Sequence, residues 1–156
     1  MYRSAIKQLK EWKDKPSRMP LLLVGARQTG KTWLLKHFGA DCFAHIAYIS
    51  FDNNAALNET LENTISPKEL LPVLSAETGV PINPNETLIV FDEIQVSPRA
   101  LLSLKYFCEE APEYHIAAAG STLGVMLHKQ ASFPVRFTAA YRRGQRRHLH
   151  LRTHRF

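Results

Sequence analysis

Residues 135–156 contain no acid and no lysine, yet they hold 7 arginines and a net charge of +7. Residues 1–134 carry 13 Lys+Arg against 14 Asp+Glu, a net of −1. The +6 of the whole chain therefore belongs to its end. A nearly neutral body argues against a basic nucleic-acid surface spread over the domain. Cysteine is scarce too. Cys42 and Cys108 form no spaced pair, which excludes a cysteine-based metal site and fits two small apolar residues in a reducing cytoplasm; a disulfide between them stays open. No apolar run approaches the roughly 18–20 residues that cross a bilayer. The opening MYRSAIKQLKEWKDK has no apolar signal core, so a cytoplasmic chain with no membrane partner is expected. No internal repeat is visible.

What is present suits one domain with one core: 156 residues, 45% apolar and 10% aromatic. Tyr2, Ile6, Leu9 and Trp12 recur at helical spacing and predict a helix over 3–13. PLLLV (20–24) reads as a buried strand. KTWLLKHF (31–38) reads as a helix stopped by Gly39. FAHIAYISFD (43–52) is a second strand, and 53–63 a weaker helix. Ser66-Pro67 with Glu69 predicts a capping box opening a helix that ends near Gly79. TLIVFDE (87–93) is the most strand-like stretch. Ser97-Pro98 starts a helix to about Glu110, YHIAAAG (114–120) is a fourth strand, and 121–130 look helical. Strands alternating with helices imply an α/β fold: a parallel sheet between two helical layers.

Two motifs carry chemistry. Gly25-Ala26-Arg27-Gln28-Thr29-Gly30-Lys31-Thr32 matches GxxxxGK[ST], the phosphate-binding P-loop, and it lies between a strand and a helix as that loop requires. Its glycines let successive N–H groups face one point, where the helix N-terminus adds positive potential. Lys31 would reach the β- and γ-phosphates of ATP, and Thr32 would offer a hydroxyl to Mg²⁺. Arg27, Gln28 and Trp33 count with the nucleotide-binding set, although Arg27 and Gln28 can equally be solvated. The second motif is Asp92-Glu93, at the carboxyl end of an apolar strand, where ligands of parallel sheets bind. Asp92 would hold Mg²⁺ directly or through water, and Glu93 would polarise the attacking water. Ser121, after the fourth strand, would lie near the γ-phosphate, or simply cap a helix.

GARQTGKT, LIVFDEIQ, SPRALLSLKYF and AAAGST together resemble a group of prokaryotic AAA+-type ATPases, in which an N-terminal P-loop domain precedes a further C-terminal domain. The resemblance implies the P-loop NTPase fold with strand order 5-1-4-3-2. It also implies Gly25–Thr32 as Walker A, Asp92 and Glu93 as Walker B, Ser121 as sensor 1, ATP and Mg²⁺ as ligands, and assembly as a homo-oligomer. It covers residues 1 to about 135. Past Val135 the family pattern stops, so the fifth strand, the C-terminal domain and the arginine finger have no counterpart. The expectation is an incomplete ATP-binding domain over 1–135, with weak or absent turnover, followed by a basic tail over 136–156.

Three readings of that tail stay open: a sequence with no place in the fold and poorly ordered over 142–156, an arm for DNA or RNA, or a metal site at His148, His150 and His154, whose spacing matches no known set. A P-loop kinase or transferase is the remaining alternative to an ATPase. Without a fifth strand, the P-loop strand would form an unpaired sheet edge.

Overall fold

The computed structural model describes residues 2–121, 136–138 and 151–152. Five helices and six strands follow in the order α1 (Tyr2–Lys13), β1 (Leu21–Val24), α2 (Lys31–Cys42), β2 (His45–Ser50), α3 (Ala55–Asn63), α4 (Pro67–Thr78), β3 (Thr87–Asp92), α5 (Pro98–Glu110), β4 (His115–Gly120), β5 (Arg136–Thr138) and β6 (Leu151–Arg152), with a short 3₁₀ turn (Ile94–Val96) between β3 and α5. One sheet runs β2-β3-β4-β1-β5-β6. Its first five strands are parallel, and β6 pairs antiparallel to β5. Read from the other side, this is the expected order 5-1-4-3-2.

Alternation along each strand assigns the two faces. Leu21 and Leu23, Leu88 and Val90, Ala117 and Ala119 pack against Ile6, Leu9 and Trp12 of α1 and Leu34, Leu35 and Phe38 of α2. Leu22, Ile89, Phe91 and Ala118 point the other way, onto α3, α4 and α5 through Leu57, Leu61, Leu70, Leu74, Leu104 and Phe107. Strands buried on both faces read as continuous apolar runs, as LLLV and LIVF do. Each fully buried Leu or Phe contributes about 1.5–3 kcal/mol relative to exposure.

Four expectations are corrected. Gly39 does not stop α2; the helix continues to Cys42. Gly39 instead marks a close approach, since a Cβ there would lie 2.7 Å from Ile46 Cγ1. The capping box of α4 does not form: Ser66 caps with its backbone, accepting at its carbonyl from Glu69 N–H at 3.1 Å and Leu70 N–H at 2.9 Å. Pro67 at the first helical position already fixes the entry. Glu93 lies off β3, with φ of 51° in the left-handed region. Lastly, β1 is not a sheet edge. Arg136–Thr138 pair with Leu21–Leu23 in parallel register, so the place of the fifth strand is filled from the arginine-rich segment. The pairing uses backbone N–H and C=O groups, which any sequence supplies; that is why side-chain composition did not announce it. The helix expected over 121–130, the histidines at 148, 150 and 154, and the tail outside β5 and β6 lie beyond the described residues.

Candidate functional site

The site forms where β1, β4 and β3 end side by side. Gly25 N–H donates to the Gly120 carbonyl at 3.4 Å, so the loop leaves β1 still tied to β4. Gln28 (φ 57°) and Gly30 (φ 84°) then turn through left-handed geometry into α2. Thr29 Oγ1 donates to the Ala26 carbonyl at 2.9 Å and closes the turn. Ala26, Arg27, Gln28 and Gly30 are exposed, leaving the outer rim of the loop open.

Lys31, the first residue of α2, folds back over this loop. Its Nζ donates to the carbonyls of Gly25 at 2.9 Å and Ala26 at 2.6 Å, and to Thr29 Oγ1 at 3.2 Å. Partial burial holds the ammonium below its usual range, an effect partly offset by the charges of Glu93 and Asp92. Trp33 stands outward on α2, 58% exposed, stacked on His37 at 5.1 Å between ring centroids.

Asp92 ends β3 as a buried carboxylate. Its Oδ2 accepts from Thr32 Oγ1 at 2.7 Å and from the Tyr48 hydroxyl at 2.7 Å; its Oδ1 accepts from Glu93 N–H at 2.9 Å. Glu93 accepts a hydrogen bond from Gln95 Nε2. The same amide donates to Ser121 Oγ at 3.3 Å and accepts from Ser121 N–H at 3.4 Å. Because β4 lies between β1 and β3, Ser121 falls between the loop and the acidic pair.

The fold thus brings Lys31, Thr32, Asp92, Glu93 and Ser121 to one end of the sheet, while Arg27 and Gln28 stay on the exposed rim. Two residues of the network were not foreseen. Gln95 lies in the FDEIQ motif, and its polarity one turn past the acids was the available signal. Tyr48 gave none, because a tyrosine in an aromatic strand reads as packing. Thr32 Oγ1 and Asp92 Oδ2 are adjacent oxygens, which suits Mg²⁺, a hard cation that takes few protein ligands and keeps its waters. Among the described residues no cluster of three or more His, Cys, Asp or Glu could hold a metal by itself.

Elsewhere, Cys42 and Cys108 are free, half-buried thiols, and burial pushes both pKa values up. Among the described residues no helix is long and apolar enough to cross a membrane.

No curated protein matches the chain. Among solved structures it is similar to that of C. elegans PCH-2, at 15% identity and a TM-score of 0.43, over 87% of this chain and 38% of that one. The chain thus spans well under half the length of that relative. Residues 17–142 match the AAA domain family, a match that takes in β1 through β5 and continues past residue 135, and the chain belongs to that family of nucleotide-binding domains.

Proposed function

We propose that this chain binds ATP with Mg²⁺ at the shared end of β1, β4 and β3, in the manner of the prokaryotic AAA+-type ATPases its motifs resemble. The observation that carries the reading is the 2.7 Å hydrogen bond from Thr32 to Asp92, which joins two motifs 60 residues apart. The nucleotide's phosphates lie along Gly25–Thr32, with loop N–H groups and the N-terminus of α2 facing them, and Trp33 flanks the nucleotide. Lys31 exchanges the Gly25 and Ala26 carbonyls for β- and γ-phosphate oxygens. Thr32 and Asp92 would hold Mg²⁺, which would supply neutralisation of the phosphate charge.

Glu93 then orients and polarises a water at the γ-phosphate, with Ser121 beside it and Gln95 tying the two together. What supports this role is that Glu93 leaves β3 with a left-handed φ and accepts from Gln95, whose amide also reaches Ser121 after β4. Turnover by the isolated chain is weak, because the arginine finger of such domains, a group worth about 10³–10⁵ in rate, is supplied from outside the chain's own site. Finger residues of such domains come from a neighbouring copy, so a homo-oligomer belongs to the same reading.

The test is calorimetric titration with ATP–Mg²⁺ alongside measured phosphate release. Lys31→Ala should lose about 100-fold in affinity, the equivalent of one or two charge-assisted hydrogen bonds. Glu93→Gln should keep the affinity and lose whatever turnover the wild type shows. Equal phosphate release by wild type and Glu93→Gln would remove Glu93 as the base. Unchanged affinity in Lys31→Ala would remove the loop as the phosphate site.

A further inference from the structure

Asp92 is fixed by more than the phosphate loop. Tyr48 stands on β2, beyond β3 from the loop, and its hydroxyl reaches the same Oδ2 that accepts from Thr32. With Glu93 N–H on Oδ1, three donors from α2, β2 and the β3 end hold one carboxylate. An ionised carboxylate only accepts, so three donors aimed at it restrict its rotation. The Tyr48 ring is clamped from α2, where Lys36 Nζ lies 3.9 Å from the ring centroid. A tyrosine present only for packing would not need a hydroxyl in this polar cluster at the strand ends.

We propose that Tyr48 is a positioning residue for the metal side of the site: its hydroxyl sets the orientation of Asp92 toward Thr32 and so sets how strongly Mg²⁺ strengthens nucleotide binding. The proposal rests on the reading of Asp92 as the metal-side carboxylate. Hydrogen-bond partners of metal-site carboxylates typically change metal affinity 10–100-fold when removed. Tyr48→Phe isolates the effect, since it deletes one hydroxyl and keeps the ring under Lys36.

The experiment titrates the full chain with a non-hydrolysable ATP analogue, once with Mg²⁺ and once with EDTA, for wild type, Tyr48→Phe and Asp92→Asn. The ratio of the two affinities is the readout. Tyr48→Phe should leave the EDTA affinity at the wild-type value, which also reports an intact fold, and should lower the ratio about 10-fold. Asp92→Asn should lower it at least as far. A lowered ratio in Asp92→Asn with a wild-type ratio in Tyr48→Phe overturns the role of Tyr48 and leaves Asp92 standing. Equal losses in Mg²⁺ and EDTA for Tyr48→Phe also overturn it, because they mark a structural residue. A wild-type ratio in Asp92→Asn removes the reading of Asp92 and the proposal with it.

Discussion

The two ends of the central strand β4 meet opposite surroundings. At its carboxyl end, Ser121 joins the polar network of Gln95, Glu93, Asp92, Thr32 and Tyr48, in which each named side chain has a hydrogen-bond partner. At its amino end, His115 is sealed among aromatics: Trp12 and Phe43 meet its ring edge-on, at 5.9 and 5.0 Å between centroids. Trp12 also packs on Phe38 and donates its indole N–H to the Met19 carbonyl at 2.8 Å, just ahead of β1. The amino end plugs the sheet; the carboxyl end offers it to a ligand. Stability and binding should therefore be separable by mutation along a single strand.

The largest expected effect breaks the plug. Trp12→Ala removes a fully buried ring and leaves the Met19 carbonyl without its donor, so urea unfolding should show a loss of about 3–5 kcal/mol. The folded fraction should still bind nucleotide as wild type does; a parallel loss of affinity would mean that the two ends are coupled. Lys31→Ala is the mirror image. Its roughly 100-fold loss of affinity should come with a change in ligand-free stability of no more than about 0.5 kcal/mol, the usual range for a residue outside the core. Larger destabilisation would show that the lysine's bonds to Gly25 and Ala26 hold the fold together.

The smallest effect is read through pH. Nε2–H of His115 meets the Lys13 carbonyl at 3.3 Å, which fixes the neutral tautomer, and buried Nδ1 has no partner among the described residues. Burial, helped by Arg18, lowers its pKa from 6.5 to about 4. A histidine whose pKa is depressed in the folded state binds protons more readily when unfolded. Its stabilisation is thus complete above about pH 6.5 and disappears as pH falls through 4. Between pH 7.5 and 5 this amounts to about 2 kcal/mol. His115→Leu should flatten the acid limb of stability by that amount; an unchanged limb would assign acid sensitivity to other groups. Nucleotide affinity of His115→Leu should stay at the wild-type value.

Much of this contrast was legible before any tertiary contact was known. LLLV–GARQTGKT, LIVF–DE and HIAAAG–ST pair a buried strand with a polar terminus, and that pattern placed Lys31, Thr32, Asp92, Glu93 and Ser121 at one end of a parallel sheet. Tyr48 escaped because its phenol matters only through Asp92, 44 residues later in the chain. Gly39 looked like a helix stop because glycine does end helices; its actual constraint is the nearness of Ile46 on β2. The fifth strand escaped for a different reason. Composition past Val135 differs from the body, but pairing with β1 needs only backbone groups and an extended segment.

By itself, then, the sequence determined the alternation of strands and helices, the strand order through family resemblance, and the types of group brought to the site. Periodicity and local motifs encode these, since they depend on neighbours a few residues away. Only the tertiary structure decided which donors reach Asp92, that Gln95 bridges Glu93 and Ser121, that an aromatic plug surrounds His115, and what lies beside β1. Each of those depends on side chains or backbone edges brought together across the sheet from distant parts of the chain, and no local pattern records such meetings.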